Sequence, residues 1–223
     1  QGRDRGARRG LQQDTKTVST RRSGGGGGQG HSGARSGAEK DAVARRAEVG
    51  GPVAEMLGDR LYSRNGETRE VDVGQLGREA KAAVWVAESC TGGLLAERIT
   101  SVPGSSDYFE GGFITYTKRM KIDLLGVSEA VLAAAGAVSK ETAEVMAIGA
   151  RARTGSTHAL AITGVAGPGT GGESVPVGTV YVGVADAAGS RVTHRQFLGD
   201  RTRIRQFSTQ MAMDLLRRRL LGL

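Results

Sequence analysis

The chain has 223 residues, with 31 Lys and Arg against 23 Asp and Glu, 36 Gly, and 38% hydrophobic residues. Its basicity sits in front: residues 1–54 hold 11 Lys and Arg against 5 Asp and Glu, which leaves the rest near neutral and argues against nucleic-acid binding there. A single cysteine, Cys90, excludes an intramolecular disulfide and fits a reducing cytoplasm, and no apolar run reaches the roughly 18 residues of a membrane helix or forms a secretory signal.

Residues 1–54 are of low complexity, rich in Gly, Arg, Ser and Gln, with a run at Gly24–Gly28 and no aromatic residue. Such a stretch buries too little apolar surface to offset its ordering entropy. It reads as a disordered extension rather than a nucleic-acid arm, because no aromatic side chain is interleaved to stack on bases. Residues 55–81 read as a linker remnant. Leu57, Leu61 and Tyr62 precede a turn at Arg64-Asn65-Gly66, and Val71–Ala80 is a short helix that Gly74 and Gly77 weaken by about 1 kcal/mol each.

From residue 82 to 223 the pattern is that of one domain. Ala82–Glu88 is an apolar strand that runs into the turn Ser89-Cys90-Thr91-Gly92-Gly93, and Leu94–Ser101 is a helix stopped before Pro103-Gly104. Gly112–Tyr116 is a second strand, and Arg119–Leu125 and Glu129–Ala135 are short helices. Ser139 caps a longer helix, Lys140 to Arg153, with Val145, Ala147, Ile148 and Ala152 along one side. His158–Thr163 is a strand feeding the glycine-rich loop Gly164–Gly172. Gly178–Asp186 and Arg191–Phe197 form a hairpin around Ala187–Ser190. Thr202–Leu221 is an amphipathic helix with Ile204, Phe207, Met211, Leu215 and Leu216 on one face. Interleaved strands and helices with a late hairpin point to an α/β fold, a three-layer α/β/α sandwich with a mixed sheet.

Four segments have the makings of a site. In Ala87–Gly93 a strand ends on a small nucleophile, Ser89, at the mouth of a helix whose free N–H groups suit an oxyanion. The competing structural reading is a Ser/Thr cap followed by close-packed glycine. Cys90 is the alternative nucleophile, but His31, His158 and His194 all lack the context of a catalytic base, and a buried structural thiol suits it better. Tyr116 lies five residues before Lys121, and a desolvated lysine can serve a serine as base. The competing reading is a solvated basic face of Lys118, Arg119 and Lys121.

The loop Thr163–Gly172 exposes backbone N–H groups that can cradle a phosphate, or it is simply a surface loop. Its formal G-x-G-x-x-G is followed by Pro176 and a strand, not a helix, which excludes the dinucleotide fingerprint. Arg201, Arg203 and Arg205 at the start of the last helix suit an anion or are surface charge. No His/Cys/Asp/Glu cluster has metal-ligand spacing, so no structural or catalytic metal is expected.

Several short segments occur in a fixed order. Ala87–Gly93 comes first, followed by Pro103-Gly104-Ser105-Ser106 with Tyr108-Phe109, then Tyr116 and Lys121, then Gly126-Val127. Gly136–Ser139, Thr163–Gly169, Pro176–Val180 and Gly199-Asp200-Arg201 complete the series. Together they resemble the C-terminal domain of the CinA family, the nicotinamide-nucleotide amidases, over about residues 84–221. The resemblance implies hydrolysis of nicotinamide mononucleotide to nicotinic acid mononucleotide and ammonia, with no cofactor or metal. Carried onto this chain, it implies Ser89 as nucleophile and Lys121 as general base. Tyr116 and Thr163 would assist proton transfer and substrate placement, and Arg201 would hold the site or ligand. Thr91, Gly92, Gly93, Gly164, Gly167 and Gly169 would contact the substrate, with N–H groups near Thr91-Gly92-Gly93 on the oxyanion.

The resemblance also implies a homo-oligomer, while the lack of a long apolar run argues against a membrane partner. The competing function is a non-catalytic nucleotide- or DNA-binding accessory protein of competence or DNA damage, acting through the basic tail. Two-domain members carry a large front domain similar to molybdopterin-binding proteins. Leu57–Thr68 resembles the stretch that precedes the amidase domain there, which implies a shortened two-domain ancestor.

Overall fold

The computed structural model describes residues 66–223 together with Met56. The extension 1–54 and the group Leu57, Leu61 and Tyr62 lie outside the described residues. In chain order the elements are α1 (Arg69–Glu79), β1 (Val84–Glu88), α2 (Leu94–Thr100), a 3-10 turn (Ser105–Asp107), β2 (Phe109–Ile114), α3 (Lys118–Leu125), α4 (Glu129–Ala135), α5 (Lys140–Thr154), β3 (His158–Gly164), β4 (Thr179–Asp186), β5 (Gly189–Gln196) and α6 (Arg201–Leu220). The sheet order is β2-β1-β3-β4-β5. β1 is parallel to both β2 and β3, and β4 is antiparallel to both β3 and β5. The expected mixed sheet between helical layers is what forms.

Alternation along the strands gives the sheet two unlike faces. Val84, Val86, Leu160, Ile162, Val180, Val182 and Val184 meet Leu95 and Ile99 of α2 and Ile204, Met213 and Leu216 of α6. Ala87, Ala159, Ala161 and Ala185 meet Met146, Ala147 and Ala150 of α5, with Leu125 and Leu132 alongside. Branched side chains fill space beneath α2 and α6, whereas alanines let α5 lie close. The buried side of α5 is therefore Thr142, Ala143, Met146, Ala147 and Ala150. Of the expected stripe, Ala147 is buried and Val145 packs against the core, but Ile148 is 48% exposed and Ala152 is exposed too, because the close approach selects small residues. On α6, Ile204, Leu215 and Leu216 are buried as expected, but Phe207 is exposed.

β2 begins three residues before its expected start, pairing Phe109 with Val84 and continuing through both glycines. The hairpin between β4 and β5 is tighter than expected, with Asp186 Oδ1 accepting from Ala188 N at 2.8 Å inside the turn. α1 packs beneath Tyr108, which is buried. A Cβ at Gly74 would come within 2.9 Å of the Tyr108 hydroxyl, and one at Gly77 within 3.0 Å of its ring. The two glycines weaken α1 locally but admit this aromatic side chain. Among the described residues no helix is long and apolar enough to cross a membrane.

Candidate active site

The site gathers at the C-terminal ends of the parallel strands β1 and β3, between which the chain's connections diverge. Such a switch point leaves a crevice in open α/β sheets. Ser89 follows β1 directly. Its N–H donates to Ile162 O at 3.1 Å, and Thr115 N donates to Glu88 O at 2.7 Å, so the strand end is held from both sides. Lys121 comes from the first turn of α3, which Thr117 caps by accepting from Met120 N at 3.2 Å.

Lys121 Nζ and Ser89 Oγ are hydrogen-bonded at 2.9 Å, and Nζ donates to Thr115 O at 2.8 Å. Lys121 is only 2% exposed. Burial disfavours its charged form and pulls the amine down to about 8. Residues 32 apart in sequence thus form a serine beside a partly neutral amine. The solvated-face reading of Lys121 is excluded by its burial, although Lys118 and Arg119 are exposed. Next to it, burial pushes the Cys90 thiol up to about 12. Cys90 stays protonated at neutral pH and offers no thiolate to compete with Ser89.

A cavity of about 200 Å³ opens over the pair. Ser89, Cys90, Lys121, Thr163 and the loop residues Gly164, Gly167 and Gly169 line it, with Tyr116 and Arg201. The sequence did not mark Lys118, Glu173, Ala137 and Val138 as part of the lining. They come from a helix start and from loops whose convergence depends on the fold. Tyr116 is 57% exposed and accepts from Arg201 Nη2 at 3.1 Å, while Arg201 Nη1 donates to Gly167 O at 2.9 Å. The Tyr116 hydroxyl is thus bound to a guanidinium at the mouth, and no bond links it to Lys121. Buried Thr163 donates its hydroxyl to Ala137 O at 2.6 Å, so its oxygen faces the cavity as an acceptor.

Thr91, Gly92 and Gly93 do not line this cavity. Gly92 N donates to Ser89 O at 3.1 Å and Gly93 N to Glu88 Oε2 at 3.0 Å, so neither is available for an oxyanion. Leu95 and Ala96 N–H also donate to Glu88, at 3.1 and 2.9 Å. Among the described residues the N–H groups of Cys90 and Thr91 donate to no backbone carbonyl. Of the two, Cys90 lines the cavity beside Ser89, whereas Thr91 is fully buried.

A larger hollow, about 430 Å³, lies between β5 and α6. It is lined by Phe197, Phe207 and Met211 beneath Arg191, Arg195 and Arg218, and brings no nucleophile to a base. Chemistry, not size, therefore selects the smaller cavity.

The family model of the CinA C-terminal domain matches residues 66–220. A CinA-like protein from Solibacter usitatus is 64% identical over 192 residues, which are 86% of this chain and 46% of that protein. The chain spans less than half the length of the curated relatives it matches. Among solved structures, a competence-damaged protein (CinA) superfamily member from Klebsiella pneumoniae is 26% identical with a TM-score of 0.67, covering 70% of this chain and all of that one. The competence/damage inducible protein CihA from Agrobacterium tumefaciens is 39% identical with a TM-score of 0.58, covering 65% and 93%.

Proposed function

Since the chain belongs to the CinA family, through that family's C-terminal domain, we propose that it is a serine amidohydrolase that converts nicotinamide mononucleotide to nicotinic acid mononucleotide and ammonia. The observation that carries the reading is the 2.9 Å bond between Ser89 Oγ and a buried, partly neutral Lys121 Nζ, open to a cavity. A neutral amine has one lone pair and two protons. It can accept from the Ser89 hydroxyl while donating to Thr115 O.

In the first step Lys121 takes the Ser89 proton as Oγ bonds to the carboxamide carbon. The carbonyl π electrons move to oxygen, where the backbone N–H of Cys90, the residue that lines the cavity next to Ser89, holds the charge. One such donor contributes about 3–4 kcal/mol in hydrolases generally. The oxyanion then collapses, the C–N bond breaks, and the Lys121 ammonium gives its proton to the departing nitrogen, which leaves as ammonia. Water attacks the acyl-serine with Lys121 again as base, releasing the acid and restoring Ser89. Thr163 accepts from the substrate's carboxamide N–H, which its hydroxyl can do because its proton is committed to Ala137 O. Arg201 and Lys118 at the mouth attract the phosphate of the nucleotide. Tyr116 orients the Arg201 guanidinium.

The test is incubation with nicotinamide mononucleotide, with ammonia and the acid both measured. They are expected to appear one for one. Nicotinamide alone, lacking the phosphate, is expected to turn over with a KM at least tenfold higher. Absence of ammonia from the nucleotide would remove the proposal.

A further inference from the structure

Glu173 follows the glycine-rich loop and lines the cavity that opens over Ser89 and Lys121. It is half-buried, and its N–H donates to Thr170 O at 3.2 Å. A Cβ at Gly136 would stand 3.6 Å from Glu173 Oε2, which sets that oxygen against the segment whose next residues, Ala137 and Val138, form another wall of the same cavity. Among the described residues Glu173 is the one acidic side chain in the lining, and its carboxylate has neither a hydrogen-bond donor nor an ion-pair partner. The nearby Arg201 is taken up by Gly167 O and the Tyr116 hydroxyl. Lys121, on the opposing wall, registers the Glu173 charge: burial and Lys118 lower its amine, whereas Cys90 and Glu173 raise it.

A carboxylate without a donor at the wall of a small cavity favours a cation there and opposes a second anion. The substrate of the proposed reaction carries its positive charge on the pyridinium ring. A ring whose carboxamide reaches Ser89 occupies a space of about 200 Å³ whose walls include Glu173. The product bears a new carboxylate beside Lys121, Lys118 and Arg201, three groups that would retain it.

We propose that Glu173 is a specificity-determining residue, whose unpaired carboxylate favours the cationic ring of a pyridinium nucleotide and repels the carboxylate that amide cleavage creates; the role rests on the amidase reading above. Arg201 and Lys118 select for the phosphate, and Glu173 selects for the charge at the other end of the molecule. It thereby distinguishes the amide from its own hydrolysis product.

Three nucleotides separate these charges at nearly constant shape. They are nicotinamide mononucleotide, its reduced form with an uncharged dihydropyridine ring, and nicotinic acid mononucleotide. Their dissociation constants are measured by calorimetry on the full chain carrying Ser89→Ala, which prevents turnover, with and without Glu173→Gln. Glu173→Gln is expected to weaken nicotinamide mononucleotide about 5- to 20-fold relative to the reduced form, and at least as much relative to the acid. Ratios that stay within twofold on loss of Glu173 overturn the role. Equal weakening of all three nucleotides, which marks a collapsed loop, overturns it too, as does absence of binding by any of them. If the wild-type chain releases no ammonia from nicotinamide mononucleotide, the amidase reading falls. The ratios, read without turnover, then still decide whether Glu173 selects by charge.

Discussion

A lysine serves as a base only when it has lost its charge, and Lys121 achieves this by burial. Because its amine is pulled down to about 8, the fraction able to accept a proton rises tenfold per pH unit below that value. The expected kcat/KM therefore climbs with pH to a plateau above about 8, read from initial rates of ammonia release between pH 6 and 9.5. The same shift carries a stability cost of opposite sign. Between about pH 8 and the ordinary lysine value the unfolded chain holds more protons than the folded one, so stability should rise with pH across that window. Lys121→Met removes a buried charge and should raise Tm at pH 7 while flattening that rise, as thermal melts at several pH values would register. At this scale the sequence displayed the serine at its strand end and the lysine in its helical turn. It did not display their contact, because the contact depends on β1 and β2 pairing in parallel and returning α3 over the end of β1. Glu88 was equally invisible: nothing in the spacing of a carboxylate tells whether it faces water or the first N–H groups of the next helix.

Helices and strands were legible wherever caps and alternation spoke clearly. Ser139 caps α5 as expected, accepting from Thr142 N at 3.1 Å, and Gly155 ends it. Where reading failed, packing had overridden local preference. β2 starts early because its glycines face β1 side chains: a Cβ at Gly112 would stand 2.6 Å from Val86 Cγ2. Propensity alone places glycine outside strands. The buried face of α5 was read only in part, at Ala147 and Val145, because the helix meets alanines, so its small residues turn inward and Ile148 turns out. The closest approach in that layer gives a prediction. A Cβ on Gly149 of α5 would lie 1.9 Å from Leu125 O at the end of α3, which is backbone and cannot swing aside. Gly149→Ala should therefore cost about 1–3 kcal/mol in denaturant unfolding, as overpacking does. It should also lower kcat, since Lys121 lies one turn before Leu125 on the same short helix and moves with it. A variant with unchanged Cm would show that α3 and α5 are not held at this distance.

Across the whole molecule, one crevice draws on β1, α3, the loop after β3 and the start of α6. That arrangement explains why four weak sequence segments, each with a bland structural reading, gain meaning together. The sheet order puts the ends of β1 and β3 side by side, and α6 returns at the end of the chain to bring Arg201 to Gly167 and Tyr116. The family match begins at residue 66, and every residue given a role here lies beyond it. Deleting residues 1–54 should accordingly leave kcat and KM for the nucleotide within twofold, whereas a tail required for catalysis would show as a loss in either. The central claim is that Ser89 and Lys121 act as a unit, and the most direct measurement is ammonia release from nicotinamide mononucleotide by wild type, Ser89→Ala, Lys121→Ala and the double variant, side by side. The account predicts that each single variant loses at least about 1,000-fold in kcat and that the double variant is scarcely worse than either. Turnover by Ser89→Ala near the wild-type rate, or losses that multiply in the double variant, would contradict it.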